Sequence, residues 1–366
     1  MSTAMNITRE QAICMFFYEE FNDENIARLS KKIDDMGNVE LCYLEDPTEP
    51  YLVSVTRILG NPIRFHRYLT ASTTASLDDN SVDMATSSQH SLTSASQVIK
   101  FLNEVFIPYD PHNDEVYELS NISVHTILST VWKHSRIFDN KSVISFTTWC
   151  SKNKVHFVQA DRKRKRDQQG NRYRVLFVAK EHFISSIVDK IVTVMPKYQL
   201  FITNLKKEGY QVVGYARKSP GEEKVDDRIR LLKQMVGRLQ ERSLVDKVFI
   251  SSFCKADDKI AERDLEIGCD KTRKFISEID GTMQDLISYL ATTKKVCLVV
   301  IDFAGLSTNV EDLFCFIRNN GNIEKIIVDC LPFENNVKVY ERSSLLKDTE
   351  ALHEFSYRQR FTQRSK

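Results

Sequence analysis

Six consecutive apolar residues at 296–301, Val-Cys-Leu-Val-Val-Ile, constrain the fold of this chain more than any other stretch. The run is rich in β-branched residues and apolar at every position, so it reads as a strand covered on both faces. Shorter or more mixed strand-like runs stand at 212–215, 247–250 and 323–328. Between them, 226–240, 275–290 and 313–318 carry apolar residues at helical spacing, with Ile229, Leu232, Met235, Val236 and Leu239 on one face of the first. Such alternation implies βαβ units and a mainly parallel sheet. The first strand ends in Gly214-Tyr215-Ala216-Arg217-Lys218-Ser219, followed by Pro220-Gly221. A buried strand there delivers a guanidinium and a hydroxyl to a loop.

The first half reads differently. Ile13, Met15, Phe16, Phe17 and Phe21 fall near helical spacing, and 41–44 and 51–55 read as short strands interrupted by Pro47 and Pro50. From 70 to 97 the chain is rich in Ser, Thr and Ala with few large apolar groups, which predicts a flexible linker. A helical pattern resumes at 98 and stops at Pro108. Val124, Ile127, Leu128 and Val131 make one helical face, 142–150 suggests a second short helix containing Trp149, and 183–195 a longer one ended by Pro196. The eight cysteines are scattered, with no Cys-x-x-Cys pair, and read as reduced thiols without a metal or other cofactor. With no long apolar run and no signal-peptide pattern at the N-terminus, the expected location is intracellular or nuclear, not secreted.

Charge decides where a polyanion would bind. Lys plus Arg number 51 against 50 for Asp plus Glu, so any cationic signal must be local. It lies between 150 and 180, where ten Lys or Arg face two Asp: Lys152, Lys154, Arg162, Lys163, Arg164, Lys165, Arg166, Arg172, Arg174 and Lys180, with Tyr173 between the last arginines. Such a patch neutralises phosphates and releases counterions, giving affinity without sequence choice. The run at 162–166 also suits a nuclear import signal.

Helix, Trp-bearing helix, basic segment and Arg-Tyr-Arg occur in the order of the winged-helix, MerR-like DNA-binding domains, which they resemble. Further on, Gly214-Tyr-Ala-Arg-Lys-Ser219 and Ile301-Asp-Phe-Ala-Gly-Leu-Ser-Thr308 resemble the two motifs of the serine recombinases, the resolvase/invertase family, over about 210–335. The order, with a MerR-like domain first, is that of a transposon-borne branch. The resemblance implies that the Ser219 hydroxyl attacks a DNA phosphodiester to form a 5′-phosphoserine link, helped by Arg217, Asp302 and Arg263. It also implies a long helix over 345–361 that dimerises and crosses the minor groove. Phe303 and Leu306, however, stand where the family carries phosphate-binding arginines, and replacement cations would have to come from Lys218, Lys255, Arg273 or Lys274.

The fold expected is therefore α/β. A resolvase-like, mainly parallel sheet flanked by helices spans 208–366, behind a mainly helical winged-helix domain at 98–195 and a small α+β domain at 1–69. The function expected is DNA binding, away from membranes, by a homodimer or higher homo-oligomer of the recombinase family with weakened or lost strand exchange. Two alternatives stand beside it: an active recombinase acting through Ser219, and a non-catalytic α/β interaction module carrying a nuclear import signal.

Overall fold

The computed structural model describes residues 6–71, 91–160, 173–265 and 279–356. The chain divides into two compact units at Val194/Met195.

In the first unit, α1 (Arg9–Phe17) and α2 (Asp23–Asp34) pack on an antiparallel sheet of β1 (Val39–Tyr43), β2 (Tyr51–Ser54) and β3 (His66–Arg67), with β1 central. The short α3 (Val55–Gly60) follows β2. Thr8 and Gln11 form a capping box that starts α1, and Ile13, Leu29, Ile33 and Leu41 close the core. A second antiparallel sheet joins β4 (Phe106–Ile107), β5 (Tyr117–Ser123) and β6 (Tyr173–Ala179), with β6 central. Around it lie α4 (Ala95–Val105), α5 (Val124–His134), α6 (Val143–Lys152) and α7 (Glu181–Val192). Phe101, Leu128, Val131, Phe146, Leu176 and Ile187 are fully buried among them.

The expected boundaries at 69 and 98 do not separate independent bodies, because 6–71 and 91–194 belong to one unit. Buried polar groups join the two parts: Asn6 Nδ2 donates to Tyr117 Oη at 2.7 Å, and Asn113 Nδ2 to the Asn6 carbonyl at 2.6 Å. Residues 72–90 of the expected linker lie outside the described residues. Its last part is ordered by Ser94, which caps α4 so that the helix begins at Ala95, three residues before the expected start, and by Leu92, which is fully buried.

The second unit holds the mainly parallel sheet flanked by helices. It opens with α8 (Val194–Lys207), where Pro196 sits in the first turn, the one helical position that tolerates a missing N–H. Then come β7 (Gln211–Arg217), α9 (Val225–Ser243), β8 (Lys247–Ser251), α10 (Met283–Thr292), β9 (Val296–Ile301), α11 (Val310–Asn319), β10 (Ile323–Asp329) and α12 (Leu331–Glu334). Strands β8, β7, β9 and β10 are parallel neighbours in that order, and β11 (Val337–Glu341) adds antiparallel to the β10 edge. Every residue of β9 is buried, as its all-apolar composition requires. Gly214 gives β7 its close approach to α9, since a Cβ there would lie 3.1 Å from Leu239 Cδ1.

The C-terminal segment corrects one expectation. Instead of a single long helix over 345–361, α13 (Arg342–Lys347) and α14 (Glu350–Ser356) are separated at Asp348, whose carboxylate accepts from the Glu350 N–H at 2.9 Å. Leu345, Leu352 and Phe355 are fully buried in the core of their own unit. Residues 357–366 lie outside the described residues. Among the described residues no helix is long and apolar enough to cross a membrane. Cys14, Cys42, Cys150, Cys254, Cys297 and Cys330 are buried free thiols.

Candidate functional site

Strands β7, β8 and β9 are parallel, so their carboxyl ends lie on one edge of the sheet, the edge where open α/β sheets bind ligands. Arg217 ends β7, Ser251 ends β8, and Asp302 follows β9. Asp302 has φ +66°, a backbone conformation that non-glycine residues hold at a cost of about 1–3 kcal/mol. The bend drives the chain into a turn at Phe303–Gly305 and brings the Ala304 carbonyl back over β7.

Arg217 is fully buried and receives that carbonyl: Nε donates to Ala304 O at 2.8 Å. Its Nη1 donates to Cys254 O at 3.0 Å and to Ser219 Oγ at 2.9 Å. Ser219 is half-buried and does not cap α9, whose N-cap is Lys224. Its hydroxyl accepts from a guanidinium, which favours a partly anionic oxygen. Two of the residues expected to act together, Arg217 and Ser219, are therefore in contact.

Arg263 is inward too. It is 2% exposed; Nη1 donates to Leu306 O at 2.6 Å and to Tyr215 Oη at 3.3 Å, and Nη2 to Asp258 O at 2.9 Å. Tyr215 Oη donates to Ser251 Oγ at 2.7 Å, and Ser251 Oγ to Asp264 Oδ2 at 2.6 Å. Burial pushes the Tyr215 phenol and the Cys254 thiol up, so both stay protonated at neutral pH. Arg217 and Arg263 thus tie the 254–263 and 303–307 loops to the sheet edge. Among the described residues, Arg217 is the one cation bonded to Ser219 Oγ.

Two residues that sequence reading passed over complete the site. Arg228 is 5% exposed; Nη1 donates to Ser219 O at 3.1 Å and to Ser252 O at 2.7 Å, and its guanidinium stands 4.8 Å from the Phe253 ring centre. Glu223 pairs with Arg228 at 2.5 Å and Lys218 at 2.8 Å. The Lys218 hydrogen bond, chiefly, holds the Glu223 carboxyl below the usual carboxylate range. Lys218 therefore serves a carboxylate beside Ser219. Lys255 is exposed, and Arg273 and Lys274 lie outside the described residues.

Phe303 and Leu306 belong to the core. Phe303 is 3% exposed and meets Phe355 edge to face at 5.0 Å; Leu306 is fully buried. Lys338 stands over the Phe303 ring at 5.4 Å.

In the first unit, α5 and α6 form a helix pair joined by 135–142, a longer connection than the roughly 3–4 residues of a helix-turn-helix. Phe138 fills it, 5.1 Å from Phe146 and 4.9 Å from Trp149. Lys152 and Lys154 are exposed, and Tyr173 is half-buried. Arg174 departs from the expected phosphate contact. It is 4% exposed, its Nη1 donates to the carbonyls of Val158 and Ala160, and it lies over Phe157. Alternation along β6 sends its side chain to the covered face, between the half-buried Tyr173 and Val175. Arg162, Lys163, Arg164, Lys165, Arg166 and Arg172 lie outside the described residues.

Comparison with protein-family models, with curated proteins and with solved structures finds no match to this chain.

Proposed function

We propose that this chain is a DNA-binding protein of the serine recombinase family in which strand exchange has been weakened or lost. What supports the family reading is the convergence of its two motif segments. Residues 87 positions apart in sequence meet at one sheet edge through the Arg217–Ala304 hydrogen bond, with Ser219 alongside. The mainly parallel sheet flanked by helices is compatible with the resolvase-like architecture that the motifs imply. Phe303 and Leu306 argue against chemistry. A developing phosphorane charge needs several positioned donors, and losing even one costs about a hundredfold to a thousandfold in rate. DNA is held, in this reading, by the winged-helix-like part of the first unit and its basic segment, in the nucleus and as a homodimer.

The Arg217–Ser219 contact favours a second reading, residual nucleophilic activity at Ser219. Incubation with DNA followed by a denaturing gel separates the two. The expected result is no covalent protein–DNA species, with the native chain indistinguishable from Ser219→Ala. A species that depends on Ser219 would establish an active recombinase.

Binding itself is tested by anisotropy titrations over a range of salt. The affinity should fall steeply with salt, each phosphate contact contributing a slope of about 0.9 in log K against log salt. Neutralising Arg162, Lys163, Arg164, Lys165 and Arg166 to Gln should flatten that slope. No binding at low salt would leave the non-catalytic interaction module as the reading to adopt.

A further inference from the structure

Helix α6 presents an unusual outward face. Ile144, in its first turn, is 79% exposed, although α6 buries Phe146 and Cys150 on its other side. Thr148 and Lys152 are also exposed, and the three residues stand four apart, so they form one line along the helix. The hydroxyls of this helix are turned back on it. Thr148 Oγ1 donates to Ile144 O at 2.9 Å, Thr147 Oγ1 to Val143 O at 2.7 Å, and Ser151 Oγ to Thr147 O at 2.9 Å. With its hydroxyl committed to the backbone, Thr148 offers a partner its methyl group. The line is therefore apolar, apolar, cationic.

The charge around it names the partner. No Asp or Glu occurs from 140 to 160, while Lys141, Lys152 and Lys154 are all exposed. A protein partner would need a wider apolar core than one isoleucine and one threonine methyl supply. Duplex DNA needs cations that meet its phosphates, and it can take small apolar groups against its base edges. The outward positions 144, 145, 148, 151 and 152 carry no Asn, Gln or Arg, the side chains that read adenine and guanine through paired hydrogen bonds. Lys152 and the Ser145 and Ser151 hydroxyls can meet polar base edges, whereas the apolar pair Ile144 and Thr148 fits the one apolar group on the major-groove edge, the C5-methyl of thymine.

We infer that α6 reads thymine methyl groups through Ile144 and Thr148 while Lys152 contacts a flanking phosphate. The inference rests on the DNA-binding reading and adds to it a chemical specificity. It is tested with the full chain and a random-sequence duplex pool. The tightly bound fraction is recovered, then recopied either with thymine or with uracil, which lacks only the methyl.

The native chain should bind the thymine copy about tenfold more tightly, the effect of two or so buried methyl groups. Ile144→Ala and Thr148→Ser should each weaken binding to the thymine copy and shrink the thymine-to-uracil ratio towards one. Lys152→Gln should lower affinity for both copies alike and flatten the salt dependence. Equal affinity of the native chain for both copies would overturn the inference while leaving DNA binding intact. Failure to bind either copy would overturn both. If Ile144→Ala instead changes the sedimentation of the chain and leaves the ratio untouched, the face is a protein contact and the inference falls.

Discussion

Leu306→Arg should unfold the α/β unit rather than supply a phosphate-binding guanidinium. Leu306 is fully buried, and its carbonyl is already the acceptor of Arg263 at 2.6 Å. A guanidinium placed there is a charge without water or an opposite partner, and such substitutions belong to the small class that costs about 4 kcal/mol or more. For a unit of this size each kcal/mol lowers the melting temperature by about 2–4 °C, so a fall of roughly 10 °C or more is expected in a calorimetric scan. Phe303→Arg should act in the same direction, because it also removes the ring that Phe355 packs against. A Leu306→Arg chain that melts with the native protein and forms a covalent link to DNA would show that the position is open to a phosphate after all.

Arg217→Met should be nearly as damaging, although Met keeps the apolar stem of the Arg side chain. Three acceptors, the carbonyls of Ala304 and Cys254 and the hydroxyl of Ser219, would lose a buried donor. Each unsatisfied buried group costs about 1–3 kcal/mol, so a loss of about 3 kcal/mol or more is expected in urea unfolding. Lys at 217 should fall between the two, since a single ammonium cannot span the fork geometry of a guanidinium. Ser219→Ala, which leaves both carbonyls bonded, should stay within about 1 kcal/mol of the native chain. A Met variant as stable as the native protein would mean that Arg217 is kept for a ligand and not for the fold.

Much of the second unit is legible in the sequence, and the reasons are local. β9 runs over the expected 296–301 because a strand covered on both faces has no polar position to blur its ends. α9 extends the expected helix by one residue at its start and three at its end. β11 escapes because Val-Lys-Val-Tyr-Glu is an edge strand whose alternating charged residues mimic a loop. Pro196 marks a boundary as expected, yet it opens a second helix instead of ending the chain's helical run.

The site is legible only as a list of candidates. That Ser219 lies beside Arg217 follows from their spacing. That Arg263 and Asp302 serve the same edge depends on contacts between positions far apart, which no local pattern carries. Arg228 did leave a trace: it extends the inward line of Leu232, Met235 and Leu239 by one turn, and an arginine on a buried line must be paired. Arg174 misled in the opposite way, because a cation within a basic run reads as solvated until β6 fixes which face it takes.

The way α14 seals Phe303 also orders events during synthesis. The loop after β9 leaves the ribosome some fifty residues ahead of the helix that covers it, and domains generally complete as units while the chain emerges. Until Leu352 and Phe355 arrive, the edge that carries Arg217 and Ser219 has an uncovered aromatic next to it. A nascent chain paused short of 350 is therefore the form most exposed to chaperones and to aggregation, while the first unit, whose elements all precede Val194, can already be closed.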